Sequence, residues 1–192
     1  MNDLANAALA PALLTVPGID NSGPGHWQTI WEREDAACRR VHLGAWSAPG
    51  REAWVSRLNC AIAAATRPAI LIAHSLGCHA RQQYAPIDPR LRPFGPVVRK
   101  RLAFPALLVA SRNDPYASYG HARRMARIWG ARMVDAGPMG HINAASGLRD
   151  WPYGKYLVQR LIAAVTPPPR PLLEAGALAT LLGQGEAPRS PR

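Results

Sequence analysis

The chain has 192 residues, 48% of them apolar, and a formal charge of +11; this is enough for one soluble globular domain with a proper core. No stretch approaches the twenty or so apolar residues of a membrane span, and Met1 to Ala10 has no basic region ahead of an apolar run, so a cytoplasmic protein without membrane contact is expected. The charge could mark a nucleic-acid partner. However, the basic residues are spread out and nearly all arginine, with lysine only at Lys100 and Lys155 and one cluster at Arg99, Lys100 and Arg101, so no specific nucleic-acid binding is expected. Cys38, Cys60 and Cys78 form no metal spacing, and an odd number of scattered thiols argues against a disulfide framework.

Pro11 to Val16 reads as a strand, and Pro17 to Gly25 follows it with the densest turn chemistry in the chain. Such a glycine-rich loop can turn backbone N–H groups toward an anion or a developing oxyanion. It has neither the Walker pattern nor Gly-x-Gly-x-x-Gly, which argues against a nucleotide. His26 to Ala37 has the period of an amphipathic helix. Arg40 to Leu43 is a second short strand, and Arg51 to Thr66 a second helix that Pro68 stops. Ala69 to Ala73 is a compact apolar run suited to a buried parallel strand. It leads into His74-Ser75-Leu76-Gly77, a tight turn with small residues two before and two after the serine.

The chain after this turn is short of regular structure. His79 to Tyr84 is scarcely two helical turns, Pro86, Pro89, Pro93 and Pro96 interrupt the segment beyond it, and no run suited to a strand lies between Gly77 and Leu102. Ala106 to Ala110 is the next strand, with Asp114 just beyond its end. Ser118 to Trp129 is helical, Ala131 to Val134 a strand, and Gly137 to Asn143 a loop carrying His141. Asp150 to Val165 is a closing helix interrupted near Pro152 and Gly154. Strand, helix, strand, helix, strand and turn is the rhythm of an α/β domain with a parallel sheet. The domain is expected over 1–165, with 166–192 as a proline-rich linker and a poorly ordered tail.

Ser75, Asp114 and His141 each follow a strand, in the chain order Ser, Asp, His of an α/β-hydrolase triad. Loops at the carboxyl ends of parallel strands can converge on one site. Ser75 would be the nucleophile, His141 the base and acid, and Asp114 the group orienting the imidazole; the N–H groups of Leu76 and Ile19 would hold the oxyanion. Singly, each residue has a plainer reading: a helix cap, a turn former, a loop histidine. Their joint placement favours the triad.

The segments Val16 to Gln28, Ala73 to Cys78, Ala110 to Tyr116 and Gly140 to Gly147 resemble the bacterial YdeN and retinoblastoma-binding protein 9 family of small α/β-hydrolases, over most of Leu13 to Leu161. The resemblance implies a three-layer α/β-hydrolase fold with a mostly parallel central sheet, and a serine hydrolase that cleaves small esters or amides without a cofactor or metal. It puts the family's triad on Ser75, Asp114 and His141 and its loop motif on Gly18 to Trp27. Gly18, Asp20, His26, Trp27, His74 and Tyr116 are then the candidates for substrate contact. Members normally carry a longer stretch between nucleophile and acid, so this chain is expected to be shortened by about one strand and helix after Ser75, leaving a gap in the sheet. A monomer or weak homo-oligomer acting on a small molecule is expected; the alternative is an impaired hydrolase fold that binds a protein.

Overall fold

The computed structural model describes residues 10–79, 89–94 and 100–166. The strands are β1 (Ala12–Val16), β2 (Cys38–Arg40), β3 (Ala69–Ala73), β4 (Leu107–Ala110) and β5 (Arg132–Asp135). The helices are α1 (Trp27–Glu34), α2 (Arg51–Ala63), α3 (Tyr119–Trp129) and α4 (Pro152–Val165). All pairings are parallel, in a three-stranded sheet ordered β2-β1-β3 and a two-stranded sheet β4-β5.

The alternation of side chains along β1 and β3 builds the layers. Leu14, Val16, Leu71 and Ala73 face one core with Trp54 of α2 and Phe94, while Leu13, Ile70 and Ile72 face another with Trp27 and Trp31 of α1 and Trp151 ahead of α4. Apolar residues on both faces of a strand require cover on both sides, and the helices supply it. α3 packs on β4 and β5.

No ladder joins β3 to β4. The five strands thus form two half-sheets, as the shortened stretch after Ser75 led us to expect. Between β3 and β4 the described residues contain only two 3-10 helices, Ser75–His79 and Pro89–Phe94. The helix expected over His79 to Tyr84 falls mostly outside the described residues. β3 and β4 carry apolar sequences, yet most of their residues are only half-buried, because a cavity of about 850 Å3 runs along both strands.

Three boundaries differ from the sequence reading. The second strand is Cys38–Arg40 rather than Arg40 to Leu43: Val41 and Leu43 are buried in the α2-side core, but the chain curls there, with the Leu43 N–H bonded to the Val41 carbonyl, and leaves the ladder. α1 starts one residue late because His26 is its N-cap, Nδ1 accepting from the Gln28 N–H at 3.2 Å. α4 is continuous: Pro152 opens it, where a missing N–H costs nothing, and Gly154 seats the Trp151 ring, which a Cβ would meet at 2.3 Å. The expected linker and tail lie outside the described residues apart from Thr166.

Gly77 packs the serine turn onto the end of β1, where a Cβ would lie 2.2 Å from the Val16 carbonyl oxygen and 2.7 Å from that of Pro17. Backbone cannot yield as a side-chain tip can. Gly77→Ala is expected to lower the stability by about 1–3 kcal/mol. Gly23→Ala, where nothing lies within 4 Å, should stay within about 0.5 kcal/mol; urea titration of both variants checks this.

Candidate active site

Ser75 leaves β3 with φ of 53°, a left-handed conformation that a non-glycine residue adopts only when its surroundings hold it there. Those surroundings are close. The His74 N–H bonds the Val16 carbonyl at 3.0 Å and the Gly77 N–H bonds the His74 carbonyl at 2.9 Å. Gly18 leaves the space in front of the turn open, since a Cβ there would lie 2.8 Å from Ser75 Cβ and 3.1 Å from the Leu76 nitrogen.

The structure brings Ser75, Asp114 and His141 into one hydrogen-bonded chain. His141 Nε2 lies 2.9 Å from Ser75 Oγ, and its Nδ1 lies 2.9 Å and 3.0 Å from the two oxygens of Asp114. With Nδ1–H donated to the carboxylate, Nε2 is left to accept from the hydroxyl. Burial pushes the Asp114 carboxyl up, but hydrogen bonds from His141 and from the Tyr116 and Ala117 N–H groups outweigh it and hold the group below the ordinary range. Asp114 is therefore a carboxylate at neutral pH. The Tyr116 ring packs edge-on against His141, centroids 4.6 Å apart.

The candidate oxyanion donors are adjacent to this chain. Within the described residues neither the Ile19 nor the Leu76 N–H donates a backbone hydrogen bond, and both residues line the cavity beside Ser75. The other candidates line it too, but with different freedom. Asp20 is ion-paired to Arg90 at 3.0 Å on the surface. Trp27 is only 3% exposed and gives its indole N–H to the Ile142 carbonyl at 2.8 Å. It forms a wall behind the histidine loop. His74 donates Nε2–H to the His141 carbonyl at 2.9 Å, which fixes that loop from the other side.

Sequence reasoning missed three supports. The Asn113 side-chain oxygen accepts the Gly140 N–H at 2.7 Å, and Ser111 Oγ accepts the Met139 N–H at 3.0 Å. Both tie the histidine loop to the end of β4. Gln28, wholly buried, donates to the Ile72 carbonyl at 2.8 Å and accepts from Ser22 Oγ at 2.6 Å. The only signal for Ser111 and Asn113 was their position directly after a strand. No group of His, Cys, Asp or Glu among the described residues could hold a metal. None of the helices there is long and apolar enough to cross a membrane.

The sequence pattern of the family described as serine hydrolase matches residues 13–88 and 80–160. The chain belongs to the serine hydrolase family. The two matched pieces meet at 80–88, within the stretch that is short between nucleophile and acid. Among solved structures, a protein of Pectobacterium atrosepticum described as a YdeN-like hydrolase is similar at 29% identity and a TM-score of 0.73, over 85% of this chain and 97% of its own. The ydeN gene product of B. subtilis is similar in fold at 16% identity and a TM-score of 0.62, over 80% of this chain and 100% of its own. No curated protein matches the sequence. These likenesses make the protein a YdeN-type hydrolase with a shortened α/β-hydrolase fold.

Two buried histidines next to the triad set an acid limit. Burial pushes His26 down to about 3, with the nearby positive charges of His74, Arg40 and His141 adding to it. Burial also pushes His74 down to about 4, against the bond to the His141 carbonyl. His26 Nε2 has no partner among the described residues, consistent with a neutral ring. Both groups bind a proton more readily in the unfolded chain, near 6.5, so their neutral burial is tolerated above that pH. As pH falls from about 6.5 toward 4 and 3, stability is lost. Each histidine is expected to cost up to about 2 kcal/mol between pH 6.5 and pH 5. Urea titrations at the two pH values check this, and His74→Gln should flatten the slope.

Proposed function

We propose that this hydrolase cleaves small carboxylic esters or amides through an acyl-enzyme on Ser75. The observation that carries the reading is the unbroken chain Ser75 Oγ to His141 Nε2 and His141 Nδ1 to Asp114, at 2.9 Å and 2.9–3.0 Å, on a serine turn held at positive φ.

Ser75 Oγ attacks the carbonyl carbon while its proton passes to His141 Nε2. The negative oxygen that forms is held by the N–H groups of Ile19 and Leu76. The carbon–oxygen or carbon–nitrogen bond to the leaving group then breaks, and the alcohol or amine departs with the proton from His141. Water attacks the acyl group, gives a proton to His141, and the acid leaves as the proton returns to Ser75. Asp114 stays ionised and holds the imidazole in the required tautomer. No step calls on a cofactor or metal. We place this activity in the cytoplasm, on a small-molecule substrate, in a monomer or weak homo-oligomer.

A second reading, a binding protein with an impaired site, is favoured by the split sheet. Turnover of a p-nitrophenyl ester separates the two. Ser75→Ala and His141→Ala are expected to lower kcat by about 10^3-fold or more, and Asp114→Asn by about 10^3–10^4-fold. Wild-type turnover that survives Ser75→Ala would remove the acyl-enzyme reading, and absence of turnover would favour the binding protein.

A further inference from the structure

The split between β3 and β4 leaves two strand edges facing one cavity. The Ala12 N–H bonds the Pro68 carbonyl and the His74 N–H bonds the Val16 carbonyl. By the alternation of a parallel ladder, the even-numbered residues of β3 aim their backbone groups at β1, and Ala69, Leu71 and Ala73 aim theirs away. On β4, the Ala106 and Ala110 carbonyls accept from the Arg132 and Ala136 N–H groups, so Leu107 and Val109 face away from β5. No hydrogen bond of the described residues uses these outward backbone groups, although unpaired N–H and C=O groups in a largely apolar cavity are costly. Both edges line the cavity that holds Ser75 and His141. Both strands also point toward the triad, because Ser75 and Asp114 follow their C-terminal ends and meet at His141.

These facts specify a ligand chemistry. An alkyl chain would fill the space and leave every one of the backbone groups unpaired. An extended peptide turns its own N–H and C=O groups alternately left and right, so a single strand can pair with both edges at once. The side chains beside the slot, Ile70, Ile72, Leu107 and Val109, are uncharged. At a rise of about 3.3 Å per residue, the five residues of β3 offer room for a peptide of about four or five residues.

We propose that the gap between β3 and β4 is a slot for the acyl side of an extended apolar peptide, which adds as a parallel strand to both edges with its C-terminal carbonyl delivered to Ser75. The slot is continuous with the triad cavity, so its occupant and the substrate of the serine are the same molecule. This rests on the reading of Ser75 as the nucleophile, and it narrows the substrate class to peptidyl esters and amides.

Binding is read apart from catalysis on the Ser75→Gly protein, a replacement suited to positive φ. Calorimetry with acetyl-Val-Ala-Val-Ala amide should give binding, and the same peptide N-methylated at alternate amides should give none, since methylation removes ladder donors and keeps the side chains. In the wild-type protein, the p-nitrophenyl ester of the acetylated tetrapeptide should exceed p-nitrophenyl acetate in kcat/KM by about tenfold or more, a gain lost on N-methylation. Equal binding or turnover of the methylated and parent peptides would overturn the slot, as would no binding at all. A dimer that takes no peptide would mean that a second copy covers the edges, and would overturn it too. Failure of Ser75-dependent turnover of p-nitrophenyl acetate would instead sink the nucleophile reading, which the calorimetry does not test.

Discussion

The loop from Gly137 to Asn143 holds the two half-sheets in register with each other. No ladder crosses between β3 and β4, so something else must set the distance between Ser75 on one side and Asp114 on the other. From the three-stranded side, His74 bonds the His141 carbonyl at 2.9 Å and Trp27 bonds the Ile142 carbonyl at 2.8 Å. From the two-stranded side, Ser111 and Asn113 bond the Met139 and Gly140 N–H groups. The His141 ring bridges the two directly. Each of these bonds to backbone is largely shielded from water, where leaving a partner unpaired costs about 1–3 kcal/mol. The surface pair of Lys155 with Glu34 at 2.7 Å, between α4 and α1, adds little by comparison. The triad is both the candidate reactive centre and part of the fastening of the fold.

That double role explains why strained and unpaired groups collect at this place. Ser75 is held at positive φ, His26 is buried with one nitrogen unpartnered, and His26 and His74 are kept neutral by burial. Each costs stability, and each is tolerated because the packing of Trp27, Trp31, Ile72, Ile142 and Trp151 surrounds them. The rings of Trp27, Trp31 and Trp151 meet at centroid distances of 4.7–6.2 Å, the range in which aromatic contact is favourable. This cluster joins α1, the histidine loop and the start of α4 without relying on a continuous sheet.

Much of this was legible in the sequence, for local reasons. Ala69 to Ala73 announces a buried strand because it is short, apolar and bounded by turn chemistry, and β1, α2 and α3 are similarly self-declaring. The Ser, Asp and His were legible because each lies just past a strand, where a parallel sheet gathers its loops. The split sheet was legible as an absence, since no apolar run separates Gly77 from Leu102. Ser111, Asn113 and Gln28 were not, because a short polar residue after a strand or in a helix has the same local pattern whether it caps a turn or ties two loops together. The second strand was misplaced because Val41 and Leu43 alternate as a strand would, although their burial comes from packing on α2 and the ladder ends before them. Pairing partners across a sheet depend on the whole chain, and no local pattern encodes them.

The central claim is that the divided sheet still holds Ser75 as an activated nucleophile. Incubation of the folded protein with a fluorophosphonate, followed by peptide mapping in a mass spectrometer, tests it most directly. The account predicts one adduct, on Ser75, formed by the native protein and greatly slowed in His141→Ala. A native protein that takes no adduct on Ser75, or one labelled equally fast without His141, would contradict it.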